Sequence, residues 1–212
     1  MTDHDHDHSQ SDSNKKASAP GSENLLRHAS QWRGAAPVDK WDPPYCGAMD
    51  MRIAADGTWH HEGTVIQRQT LVQLFSSILR RDADGHYYLV TPAEKVRIQV
   101  DDCPFTAVLM NVVNPGTDAQ ILRFTLNTGE TVEAGPDHPL KVDYPDGEEP
   151  HPVVHVRHGL EALITRSVFY DLASLASPEE VSKKSLEAAP HKGFGQNVGV
   201  LSHGKLFVLG QL

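Results

Sequence analysis

Apolar and polar positions recur in one arrangement twice along the chain. Val65–Leu79 carries apolar residues at 71, 72, 74, 75, 78 and 79, the spacing of one stripe of an amphipathic helix. Leu163–Leu175 repeats it. Overlaying the two sets Ile66 on Ile164, Arg68 on Arg166, Leu71 on Phe169 and Leu74 on Leu172. Burying the first stripe releases on the order of 10 kcal/mol of transfer free energy at most. Neither segment is long enough to persist as a helix alone in water, so each needs a sheet to lie on.

The flanks repeat as well. Each helix is preceded by a strand and a turn, Met51–Ile53 with Asp56-Gly57 and Val153–Val156 with His158-Gly159. Each is followed by a turn and an apolar strand, Asp84-Gly85 before Tyr87–Val90 and His203-Gly204 before Leu206–Leu209. The predicted unit is strand, turn, strand, helix, turn, strand. The second copy is longer, and the excess matches Ser177–Asn197, rich in Pro, Gly and Ser. Two units are too few for a solenoid and predict a duplicated, two-part globule.

Between the units, Lys95–Asp101 alternates cleanly, so one face of that strand is wet. Thr106–Val113 reads as a more buried strand, and Ile121–Leu126, Thr131–Ala134 and Leu140–Tyr144 continue as a meander. Upstream, Ser22 is placed to cap a short helix through Leu25, Leu26 and Ala29. The prolines of 35–44 exclude helix, and Trp41 is expected to pin this lead-in onto the domain. The fold class is α+β: two domains with mainly antiparallel sheets, each with one packed amphipathic helix. The boundaries read as a disordered polar tail over 1–24, an N-terminal domain over 25–102 and a C-terminal domain over 103–212.

Composition narrows the partners. A net charge of −9 argues against a nucleic-acid backbone, which calls for clustered Lys and Arg. No apolar run approaches the ~20 residues of a membrane span, and no secretory signal opens the chain. Two cysteines, Cys46 and Cys103, are too few for a disulfide framework and read as buried thiols of a cytoplasmic protein.

Several long motifs resemble an uncharacterised bacterial family, domain of unknown function twelve-eighty-five. They are Trp41–Trp59, Leu79–Gly85, Leu89–Lys95, Arg157–Ala162 and Val168–Leu172, in order over Trp41 to Gly210. The resemblance implies a duplicated core and a second domain like a pleckstrin-homology barrel. It also implies a site between the domains for a nucleotide-like molecule, and a role in signal transduction. It carries no activity, and the cofactor is left open. A strand pair around His203-Gly204 follows the second helix, a departure from the pleckstrin-homology order that argues against membrane phosphoinositides.

Candidate chemistry is sparse. Arg68 and Arg166 precede their helices, where a cation opposes the macrodipole unless an anion lies between them. The plainer alternative is an ion pair with Glu62 or Glu161. Thr91 and Lys95 flank a Pro-containing corner and are possible rim contacts. His151 and His155 on one strand stand ~13 Å apart with His158 on the other face, too far for one zinc. His60 and His61 split across a pleat, and His138 is isolated in a turn. His4, His6 and His8 of the tail offer at most loose metal binding. Asp82–Gly85 is a hairpin turn, and Gly199–Gly204 lacks the helix of a hydrolase elbow.

The expected function is binding of a small anionic, nucleotide-like ligand by Arg68, Lys95, Thr91, Arg157 and Arg166, with Trp59, Tyr170 or Trp41 as a stacking face. No catalytic residue and no resident metal are expected, and nucleic acid and membrane are not expected partners. Two alternatives stay open: a metal-assisted hydrolase using loop histidines, and a protein-interaction adaptor without a small ligand.

Overall fold

The computed structural model describes residues 25, 27, 29–32, 34–145, 149–177 and 197–211. The tail over 1–24 and most of the insertion, 178–196, lie outside them. The first sheet contains β1 (Tyr45–Ile53), β2 (Trp59–His61), β3 (Thr64–Val65), β4 (Leu79–Arg81), β5 (Tyr87–Val90) and β6 (Lys95–Val100). Its order is β3-β2-β1-β6-β5-β4. The second contains β7 (Phe105–Val113), β8 (Ile121–Leu126), β9 (Thr131–Glu133), β10 (Leu140–Asp143), β11 (His151–Arg157) and β12 (Leu160–Ile164). Its order is β10-β11-β12-β7-β8-β9. Pairing is antiparallel apart from one parallel pair in each sheet, β1 with β6 and β12 with β7. A separate hairpin follows, β13 (Asn197–Ser202) with β14 (Lys205–Gln211).

One helix belongs to each unit: α1 (Gln69–Ser77) and α2 (Arg166–Ser174). Val72 and Phe75 of α1 and Val168 and Leu172 of α2 enter the core. The helix predicted to run on to Leu79 ends two residues earlier. Ile78 is its C-cap, and Leu79 is already in β4. Both remain fully buried, because the apolar stripe passes without a break from helix to strand. The helices superpose end to end when Gln69 is set on Arg166 and Ser77 on Ser174, one position off the overlay of the sequences. Buried Leu172 then falls on buried Phe75. Arg68 falls on Thr165, each the N-cap of its helix. The duplication stands, but the two arginines are not equivalent.

The second sheet carries the barrel-like wall expected of a pleckstrin-homology likeness. Its two halves are bridged by the β13–β14 hairpin, which touches β10 on one side and β8 on the other. Ser202, fully buried, accepts from Leu122 N at 2.9 Å and donates to Ala134 O at 2.6 Å. Gln120 donates to Leu201 O at 2.8 Å. These bonds satisfy polar groups that burial would otherwise leave unpaired. The outer half of β7 departs from its apolar reading. Val108 and Leu109 are about half exposed, as the strand extends past the core that Phe105 and Ala107 enter.

Upstream, Leu25, Arg27 and Ala29 are helical, and Leu25 and Ala29 are fully buried. A single 3₁₀ turn at Val38–Lys40 interrupts the lead-in. Trp41 packs against the core as expected. Arg80 fastens this segment by donating to Val38 O at 2.7 Å and Trp41 O at 2.8 Å.

The domains meet where the β1–β2 turn touches the β8–β9 turn. Asn127 donates to Gly57 O at 3.1 Å, and its Oδ1 accepts from Thr106 N at 3.2 Å. Gly57 has φ +83°, and a Cβ there would lie 2.7 Å from Asn127 Nδ2. Gly85 has nearly the same φ, +81°, with open space around it. Gly85→Ala is therefore expected to cost only the left-handed strain, about 1–2 kcal/mol. Gly57→Ala adds the clash at the seam and should exceed it by at least about 1 kcal/mol, read from urea denaturation midpoints of the two variants.

Candidate functional site

A cleft of about 500 Å³ opens between the domains. Gln73, Leu74, Ser76 and Ser77 of α1 form one wall, and Thr128, Gly129, Glu130 and Arg157 form the other. Trp32 stands at its edge. The walls follow from local sequence. Thr70 and Gln73 lie on the polar face of α1, opposite Val72 and Phe75. The Asn127-Thr128-Gly129-Glu130 turn is closed by Gly129 N donating to Leu126 O, with Gly129 at φ +86° as such a turn requires.

Side chains cross the seam to backbone carbonyls. Gln69 donates to Asn127 O at 2.7 Å and Gln73 to Thr128 O at 2.8 Å. From the other domain, Arg157 Nη2 donates to Ser76 O at 2.9 Å. Its Nη1 donates to both Glu130 oxygens, at 2.8 and 2.6 Å, and the guanidinium lies over the Phe105 ring at 5.2 Å. The Arg157 side chain is 12% exposed and Glu130 40%. Thr128 Oγ1 is buried without a hydrogen-bond partner. The cleft thus combines a held cation, its more exposed carboxylate partner and an unpaired hydroxyl.

The residues expected to bind a ligand do not converge. Of the seven, Arg157 alone lines this cleft. Trp59 is 1% exposed and stacks on Phe75 at 6.2 Å, which makes it core rather than a face for a ligand. It borders a smaller depression of about 250 Å³ on the same seam, with Gly57, Gln69 and Asn127. Arg68 is exposed, and no ion pair joins it to Glu62 among the described residues. Arg166 is 73% exposed and paired with Glu149 at 3.2 Å instead of Glu161. With Tyr170 it lines a third depression, of about 520 Å³, on the C-terminal domain.

Lys95 is held in an ion-pair network, its Nζ 2.9 Å from Asp82 and 4.7 Å from the Tyr88 ring centre. Thr91 is fully buried and accepts from the backbone of Ala93 and Glu94, closing the corner. Arg68 and Arg166 thus hold different places on their helices, one at the N-cap and one at the first helical position, and neither lines the cleft. Trp32, Gln73, Thr128 and Glu130 were not legible as site residues. Asn127-Thr128-Gly129-Glu130 has the composition of a turn and nothing more, and no local signal ties it to α1.

Among the other candidates, His138 is not isolated, since it stacks on His155 at 6.2 Å. His203 pairs with Glu133 at 3.0 Å. Cys46 is half-buried rather than buried, with no disulfide to Cys103. Cys103 is 4% exposed, and burial first, then the negative charge of Asp102, pushes its thiol up to about 12. No helix among the described residues is long and apolar enough to cross a membrane.

Fold and cleft together define an α+β protein of two domains with a duplicated core and a polar seam. Residues 36–103 match the family described as "Domain of unknown function (DUF1285), N-terminal domain", and residues 104–209 match its C-terminal domain. The chain belongs to the DUF1285 family. A DUF1285 family protein of Silicibacter pomeroyi DSS-3 is 43% identical, with a TM-score of 0.73 over 89% of this chain and 95% of that chain. Another, from Shewanella baltica OS155, is 25% identical with a TM-score of 0.47, over 60% of this chain and 92% of that chain. No curated protein matches the chain.

The network around Asp82 gives a pH prediction. Burial raises its pKa, but the hydrogen bonds and charges of Arg80 and Lys95 together hold it below the ordinary 3.8. The unfolded chain therefore takes up this proton first as pH falls. The stabilisation is full above the ordinary value and is lost as pH falls through the depressed one. Asp82→Asn should cost about 1–3 kcal/mol at neutral pH and flatten the acid limb of a stability–pH curve, measured by urea unfolding at stepped pH.

Proposed function

We propose that the protein binds a small anionic, nucleotide-like ligand in the interdomain cleft, without transforming it, as a component of a signalling response. The observation that carries this reading is Arg157, nearly buried at the wall of a cavity of ligand size and fixed in orientation by the Ser76 carbonyl. A guanidinium so held presents a planar fork to a phosphate or carboxylate. Glu130, the more exposed partner, is the group an incoming anion replaces. The unpaired Thr128 hydroxyl supplies a further contact. Trp32, 38% exposed and tilted against Trp41 at 5.3 Å, offers a stacking surface at the rim.

Binding rather than catalysis is supported by the lining itself. Among the described residues it includes no histidine or cysteine, and the carboxylate of Glu130 is engaged by Arg157. The nearby hydroxyls of Ser76 and Ser77 donate back to Gln73 O and Leu74 O within α1. Hydroxyls used in this way are not paired with a base among the described residues that would activate a nucleophile.

A thermal-shift series of nucleotides and small phosphorylated or carboxylated compounds tests this reading. A ligand present at about 100 times its Kd adds ~2.7 kcal/mol of stability. Arg157→Gln should abolish the shift. Glu130→Gln, which removes the competing carboxylate, should lower the apparent Kd. A panel without any shift, or a shift unchanged in Arg157→Gln, defeats the proposal.

A further inference from the structure

Asp102 and Cys103 lie in the short link between β6 and β7, and His151 is the first residue of β11. Folding brings the three together. His151 Nε2 is 3.0 Å from both Asp102 oxygens, and Cys103 Sγ is 3.6 Å from Asp102 Oδ1. One donor atom from each residue lies within 4.8 Å of the other two. We propose that Asp102, Cys103 and His151 form a binding site for a divalent transition metal of the zinc class, separate from the cleft that carries Arg157.

The donor set fits such an ion. Thiolate, imidazole and carboxylate together are the ligands of zinc, at ~2.0–2.3 Å, rather than of calcium or magnesium. Three protein ligands leave a fourth position for water or an anionic group, the open arrangement. The atoms must draw together slightly to reach that geometry. Asp102 and His151 can move, with side chains 31% and 33% exposed, while Cys103 is held in the core. Asp102 and Glu161 set a negative field at the thiol, opposed in part by Arg81. A bound cation relieves that field and holds sulfur as thiolate. His151 also lines the depression that contains Arg166 and Tyr170, so cluster and depression share a wall.

Histidine spacing could not show this site, because a single histidine contributes. Its partners are an aspartate and a cysteine from the far side of the chain.

The test is a cobalt(II) titration of the full-length, chelator-treated protein. Cobalt bound to a thiolate gives a near-ultraviolet charge-transfer band, which the cysteine-free histidines His4, His6 and His8 cannot produce. One equivalent should raise this band in the wild type and in Cys46→Ser, and zinc should displace it. Cys103→Ser should lose it. His151→Ala and Asp102→Asn, changes at partly exposed positions, should weaken cobalt binding by at least roughly tenfold. These two carry the test should Cys103→Ser misfold, which circular dichroism reveals. No band in the wild type, or binding unchanged in His151→Ala, overturns the proposal. Neither outcome bears on ligand binding at Arg157.

Discussion

The architecture depends on polar side chains that satisfy backbone groups across the seam between the domains. Gln69, Gln73, Asn127 and Arg157 each reach from their own domain to a carbonyl of the other. A buried carbonyl left unpaired costs more than an average hydrogen bond gains, so the part-buried bonds of Gln73, Asn127 and Arg157 weigh more than the exposed one of Gln69. These bonds are directional where apolar packing is not. They hold α1 and the β1–β2 turn against the β8–β9 turn and Arg157, and the cleft lies along that contact.

The same seam explains why a cation can sit there. Arg157 is desolvated on most of its surface, and Glu130, the Ser76 carbonyl and the Phe105 ring together replace water around it. The arrangement holds the guanidinium at the wall, with Glu130 as its more exposed counter-charge. The cleft is walled by residues from both sides of the β6–β7 link, in which Asp102 and Cys103 lie.

Duplication supplied the parts but did not supply the site. Both copies place a hairpin before a nine-residue helix. In the first, the strands after the helix join the sheet through β6; in the second, they form their own hairpin against β8 and β10. The helix starts also differ. Thr165, the N-cap of α2, spends its hydroxyl on Ala107 O at 3.1 Å, tying the helix to β7. Arg68 at the corresponding place remains in solvent. Equivalent positions in a duplicated fold thus took unrelated duties.

The amino-acid sequence by itself determined the elements and their buried faces. The stripes of α1 and α2, the alternation of β6 and β8, and the glycine turns at 57, 85, 129, 159 and 204 are properties of short range. Period and turn chemistry express them locally. It also indicated the duplication and the family, since both rest on order along the chain. Tertiary structure alone decided which functional groups meet. Arg157 finds Ser76, Gln73 finds Thr128 and His151 finds Asp102 across separations that no periodicity encodes. Apolar periodicity says which side of an element is buried, but not which other element buries it. A one-residue offset between two similar helices put Arg68 at an N-cap and Arg166 one position inside its helix, though the overlay of the sequences had made them equivalent.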